Sequence, residues 1–208
     1  EDIVGTVATT TSWLLEHKPG QVVFPIAEEP LIAAFERAGI PMSDDPEKID
    51  VVVASYDRTF DYRKLQIAFD AIWFHRRTTL VGTNPDRFCP FPGGKGQPDC
   101  AAVVAAIEAC TNTKAEIVLG KPNAEMARVA LAGLDLELTD CLMVGDRLMT
   151  DIQLAVNAGM ASAMPLTGES TLDEAMARPE ESRPTYVVDR IDHLLPPQVW
   201  EERGWALE

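Results

Sequence analysis

Positive charge is scarce in this chain. Its 208 residues carry 18 Lys and Arg against 33 Asp and Glu, a formal net charge of −15. So acidic a chain is repelled by phosphate backbones and anionic lipid. General binding to nucleic acid or to a membrane surface is therefore not expected, while divalent cations would be attracted. Long apolar runs are also missing: none approaches the roughly 18 residues needed to span a bilayer, and no signal-peptide pattern is found. The cysteines Cys89, Cys100, Cys110 and Cys141 form no CxxC pair, and His17, His75 and His193 are scattered. Neither a zinc site nor a disulfide framework is indicated. Unpaired thiols suit a reducing compartment, so a cytoplasmic location is expected. Internal repeats and low-complexity segments are absent from the sequence as well.

What remains is the balance of a folded protein, with 46% hydrophobic and 25% charged residues. The length fits one domain or two small ones. Short β-branched runs recur at Val22–Ile26, Val51–Ser55, Thr79–Gly82, Glu116–Leu119, Cys141–Val144, Ala161–Met164 and Tyr186–Val188. Helical patterns lie between them, near Leu31–Ala38, Tyr62–Phe74, Asp99–Ala109, Ala124–Gly133, Asp151–Ala158 and Leu172–Ala177. This alternation predicts an α/β fold with a largely parallel sheet. Arg87–Pro98 holds Pro90, Pro92, Gly93, Gly94, Gly96 and Pro98, and turn chemistry makes it a loop. Trp73 and Phe74 read as packing residues, and Trp200 and Trp205 as caps on a core surface.

Two segments carry chemistry. In Leu142-Met-Val-Gly-Asp-Arg-Leu-Met-Thr-Asp151 an apolar strand ends at Val144, and Gly145 allows a tight exit. Asp146 then stands at the strand's carboxyl end, the edge where open α/β sheets bind ligands. Thr150 with Gln153 reads as a capping box that starts a helix at Asp151. Asp146 and Asp151 would flank one turn, and two hard carboxylates there suit Mg²⁺. Taken alone, Asp151 reads equally well as a first-turn residue complementing the helix dipole. In Ile117-Val-Leu-Gly-Lys-Pro-Asn123 another β-branched run ends in Gly120. Pro122 holds Lys121 extended, and Asn123 reads as an N-cap for a helix from Ala124. A lysine so placed can reach a phosphate or an aspartate in the same crevice, although an isolated lysine is usually just solvated.

GKPN followed by VGDRLMTDIQLAVNAGM resembles the haloacid dehalogenase (HAD) superfamily. More narrowly, it resembles the NagD-like, 4-nitrophenylphosphatase-type phosphatases of class IIA. Thr83-Asn-Pro-Asp86, Val52-Val-Ala-Ser-Tyr-Asp57 with Phe60-Asp-Tyr62, Leu166-Thr-Gly168 and Pro184-Thr-Tyr-Val-Val-Asp189 resemble further segments of that family, in order along the chain. The resemblance implies a HAD-like Rossmannoid core, residues 1–19 and 114–208, with an inserted α/β cap at residues 20–113. It implies Mg²⁺-dependent hydrolysis of a small phosphorylated metabolite through an aspartyl-phosphate. Lys121 would stabilise the phosphoryl charge, Asp146 and Asp151 would serve the metal, and Asn84 and Asp86 would lie near the substrate. A homodimer is compatible with the resemblance.

The family's DxDG motif, which supplies the nucleophile and the acid/base, has no counterpart here. Its second motif is also absent. The chain is expected to begin after both and to lack the central strand of its core sheet. It would then be a piece of a longer phosphatase, inactive alone. A degenerate paralogue, or a strand supplied by another chain, are the competing explanations. A non-catalytic module binding phosphate or sugar phosphate is the alternative function.

Overall fold

A computed structural model describes residues 3–204, and Trp205 lies outside the described residues. The chain forms two compact units, Glu1–Gly120 and Lys121–Glu208.

In the first unit, β1 (Val23–Ile26), β2 (Val51–Ala54), β3 (Thr79–Gly82) and β6 (Ile117–Val118) form one parallel sheet in that order. The four residues of β2 are wholly buried because both sheet faces are covered. Val51 and Val53 pack with Trp13 and Leu14 of α1 (Thr6–His17) and with Leu31 and Phe35 of α2 (Glu29–Arg37). Val52 and Ala54 pack with Ala68 of α3 (Tyr62–Phe69) and with Val103, Val104 and Ile107 of α4 (Cys100–Thr111). This explains why the strands read as continuous apolar runs.

The division between the two compact units falls after Gly120. The α1 helix belongs to the first core, and β6 extends its sheet, with Glu116 N–H donating to Leu80 O at 2.8 Å and Leu119 N–H to Gly82 O at 2.9 Å. The expected loop at 87–98 contains an antiparallel ribbon, β4 (Phe88–Phe91) and β5 (Lys95–Pro98). Gly93 and Gly94 turn it with φ of +78° and +73°. Its prolines argued against strands, but a two-stranded ribbon has only edges, where proline is tolerated. The helix expected to run to Phe74 widens into a π-type turn at Asp70–Phe74. Trp73 and Phe74 are exposed there, stacking or meeting edge-on with Phe69 rather than entering the core.

The carboxylate of Asp57, after β2, is inaccessible to solvent and pairs with Lys64 Nζ at 2.6 Å. Thr59 donates to it from N–H at 2.8 Å and from Oγ1 at 2.7 Å. Burial pushes the Asp57 carboxyl up, but the Lys64 and Thr59 hydrogen bonds outweigh it and hold the group below its ordinary value of 3.8. The stabilisation is therefore present above that value and is lost as pH falls through the lower, folded one. Lys64→Met is expected to cost about 1–3 kcal/mol at pH 7, because a buried acceptor loses its charged donor. Urea midpoints for wild type and variant should converge as pH falls through that window. A difference independent of pH would contradict the assignment.

The second unit is a three-stranded parallel sheet in the order β7 (Leu142–Val144), β8 (Ala161–Pro165), β9 (Tyr186–Val188). With it come α5 (Glu125–Leu131), α6 (Gln153–Ala158), α7 (Leu172–Ala177) and α8 (Pro197–Arg203). Its core is small, built on Leu148, Ile152, Met164 and Ala175, with Leu166 and Val187 against it. Among the described residues β7 pairs only with β8, and Leu142 on that edge is exposed. Trp200 of α8 is buried. No helix among the described residues is long and apolar enough to cross a membrane.

Candidate active site

The carboxyl end of β7 organises the polar cluster of the second unit. Gly145 N–H donates to Ala163 O at 3.2 Å, keeping the chain in register with β8 for one residue past the strand. The chain then turns into a wide π-type turn, Leu148–Ile152, before α6. The capping box expected from Thr150 and Gln153 does not form. Helical geometry already begins at Leu148, and the buried Thr150 Oγ1 has no hydrogen-bond partner among the described residues. The wider turn instead brings Asp151 back onto the residues before it. Its Oδ2 accepts from Arg147 N–H at 3.2 Å, and its side chain lies against Gly145. A Cβ on Gly145 would come within 2.3 Å of Asp151 Cβ, so only glycine permits this approach.

Lys121 begins the second unit. Its Nζ lies 2.8 Å from Asp151 Oδ1; the aspartate side chain is 7% exposed and the lysine 41%. The pairing leaves the buried carboxylate with a charged partner, while the lysine keeps one side toward solvent. The Lys121–Pro122 peptide is cis. Pro122 O accepts from Asn157 Nδ2 of α6 at 2.8 Å, which ties the lysine's segment to the helix after Asp151. Asn123 Oδ1 accepts from Glu125 N–H at 3.0 Å, so it supports the start of α5 one residue later than expected.

Asp146 stands at the strand end as the sequence suggested. Its Oδ2 accepts from Glu169 N–H at 2.8 Å. Among the described residues Asp146 Oδ1 makes no hydrogen bond, which leaves one hard oxygen available. No three His, Cys, Asp or Glu side chains among the described residues gather to hold a metal ion. Among the described residues, the carboxylates offered to a cation at this turn are Asp146 and Asp151. That donor set fits Mg²⁺, which takes one or two carboxylates and completes its octahedron with water and phosphate oxygens.

Of the residues singled out in the sequence, the structure brings Lys121 and Asp151 into contact and sets Asp146 on the same turn. Asn84 and Asp86 belong to the first unit, after β3. Asn84 Oδ1 accepts from Asp86 N–H at 2.9 Å, and its Nδ2 donates to Asp99 Oδ1 at 3.3 Å. Asp99 in turn accepts from Cys100 N–H at 2.6 Å at the start of α4. The Asn84 side chain thus shapes a turn and steadies a helix start. Gly120 is held close to it, since a Cβ there would lie 2.8 Å from Asn84 Cα. The sequence reading did not single out Glu169 and Ser170, whose contacts to Asp146 are made by backbone N–H groups.

Comparison with known proteins follows the same residues. The HAD-hydrolase-like family model matches residues 118–194. The sugar-phosphatase AraL of Bacillus subtilis is 32% identical over 190 residues, covering 91% of this chain and 67% of that protein. The glycerol-3-phosphate phosphatase of Gallus gallus is 30% identical over 203 residues, covering 86% and 65%. The crystal structure of 4-nitrophenylphosphatase from Thermotoga maritima superposes with a TM-score of 0.77 at 30% identity, covering 91% and 70%. The chain spans about two thirds of the length of these curated relatives. By sequence and by fold, the chain belongs to the haloacid dehalogenase-like hydrolases, among the NagD-like, 4-nitrophenylphosphatase-type phosphatases of class IIA.

Proposed function

We propose that the full protein is a Mg²⁺-dependent phosphatase that hydrolyses a small phosphomonoester through an aspartyl-phosphate. The observation that carries this reading is the convergence on one turn of Lys121, the buried Asp151 and an Asp146 with a carboxylate oxygen to spare. It is supported by relatives named as sugar, glycerol-3-phosphate and 4-nitrophenyl phosphatases. Lys121 is the residue proposed to face the phosphoryl group, with Asp146 and Asp151 serving the metal site and Asp151 also orienting the lysine. Mg²⁺, when bound, neutralises charge on the phosphoryl oxygens.

The route needs two further carboxylates. One attacks phosphorus, and the ester P–O bond breaks as the leaving oxygen takes a proton from the other. That second group then removes a proton from water, which attacks the acyl phosphate, releases inorganic phosphate and restores the first. Neither group is assigned within these 208 residues. Both would lie in a segment of the full protein outside them, so the 208-residue chain alone should be inactive. Residues 20–113 are proposed as the cap that selects the leaving group, with Asn84 and Asp86 on its substrate side. A cytoplasmic location and a phosphorylated metabolite as substrate complete the reading.

The test is hydrolysis of 4-nitrophenyl phosphate by the full-length protein. Turnover should require Mg²⁺ and fall at least about tenfold on chelation, as expected when charge neutralisation worth several kcal/mol is withdrawn. Saturable binding of a phosphate ester without phosphate release would favour the non-catalytic module instead. Metal-dependent turnover by the purified 208-residue chain would overturn the placement of the missing carboxylates.

A further inference from the structure

Asp146 is gripped by a segment that the proposed reaction does not itself call on. The loop after β8 folds back over the Gly145–Leu148 turn. Glu169 N–H donates to Asp146 Oδ2 at 2.8 Å, and Ser170 N–H donates to Asp146 O at 3.2 Å. Ser170 Oγ accepts from Leu148 N–H at 3.2 Å. Glu169 Oε2 pairs with Arg147 Nε at 2.8 Å. Side-chain and backbone atoms of the loop thus bind three successive residues of the turn. At the centre of the contact is Gly168. A Cβ built on it would lie 2.2 Å from Asp146 Cβ, 2.2 Å from its Oδ2 and 2.4 Å from its Cγ. Every one of the nearest atoms belongs to the Asp146 side chain. Gly168 has no left-handed φ, so backbone strain does not demand glycine there. Only the seat of the carboxylate does.

We propose that Gly168, with Glu169 N–H and Ser170, is the positioning element for Asp146: it fixes one carboxylate oxygen in a backbone hydrogen bond and leaves the other, which makes no hydrogen bond among the described residues, able to serve a cation. This rests on the reading of Asp146 as a metal-serving residue. Groups that orient a ligand typically set metal affinity by about 10–100-fold without touching the metal. The Arg147–Glu169 pair is exposed on both sides and adds little beyond holding the loop closed.

The experiment is calorimetric titration of Mg²⁺ into the full-length protein and its Gly168→Ala variant, with melting curves recorded with and without Mg²⁺. Gly168→Ala should weaken Mg²⁺ affinity by about tenfold or more. The Mg²⁺-induced rise in melting temperature should shrink in step. Turnover should recover at high Mg²⁺, with the KM for substrate unchanged, which general loosening of the fold would not produce. Wild-type Mg²⁺ affinity in a folded Gly168→Ala protein would overturn the proposal. Absence of Mg²⁺ binding in the wild type would overturn the underlying metal reading instead. If Gly168→Ala does not fold, Ser170→Ala decides, because it removes the acceptor for Leu148 N–H and adds no atoms. Ser170→Ala should weaken Mg²⁺ binding measurably, and Ser170→Thr, which keeps the hydroxyl, should restore it. Equal affinity in wild type and Ser170→Ala would overturn the proposal.

Discussion

Asp146→Asn in the full-length protein is expected to lower kcat/KM for 4-nitrophenyl phosphate by about 10²–10³-fold, the usual cost of removing one preorganised electrostatic group. The substitution is nearly isosteric. The asparagine carbonyl can still accept from Glu169 N–H, as Asp146 Oδ2 does at 2.8 Å, so folding should be preserved. What is lost is the negative charge on the oxygen turned away from that bond. Lys121→Met should lose activity on a similar scale, but for a second reason as well. It strips the buried Asp151 of the Nζ partner 2.8 Å away, so a fall in melting temperature should accompany the fall in rate. Steady-state kinetics and melting curves on both variants give the comparison. Undiminished turnover in both would remove these residues from the chemistry.

Phe35→Ala is expected to destabilise the first unit by about 3–5 kcal/mol, the range for emptying a large aromatic site in a core that relaxes only in part. Phe35 is fully buried on α2, among Trp13, Leu14, Leu31, Val51 and Val53. These neighbours come from helices and from a strand buried on both faces, none of which can collapse into the hole without unseating another contact. Urea unfolding followed by circular dichroism measures it. The midpoint of the first unit should fall by at least about 1 M, given slopes of 1–3 kcal/mol per M. A loss below 1 kcal/mol would show that the site repacks and that the core description is wrong.

The parallel strands were legible because strands covered on both faces become uninterrupted apolar runs, as Val51–Ala54 does. The α1 helix was not, because its sequence carries four threonines and a serine, which favour other conformations. Tertiary packing overrides that preference. Trp13 and Leu14 are buried, while Thr9 and Thr11 turn their hydroxyls onto the carbonyls of Gly5 and Val7, four residues back. At the site, Lys121 and Asp146 could each be read from a strand-end pattern, and the structure adds the direct pairing of Lys121 with Asp151. The grip on Asp146 could not be read, since a backbone N–H leaves no mark on residue identity. Likewise the wide turn at Leu148–Ile152 follows from packing of Leu148 and Ile152, not from the Thr150–Gln153 spacing that suggested a cap.

The ribbon of the first unit also bears on self-association. Among the described residues no third strand pairs with either of its sides, and Phe88 and Phe91 stand exposed on it, a combination that invites another chain to add itself as a further strand. Pro90 and Pro98, one on each side, have no N–H to offer such a newcomer, and Lys95 puts a charge beside the turn. The same prolines that hid the ribbon from a reading of the sequence therefore act as guards against sticking, leaving its aromatic faces in water without turning them into a nucleus for fibres.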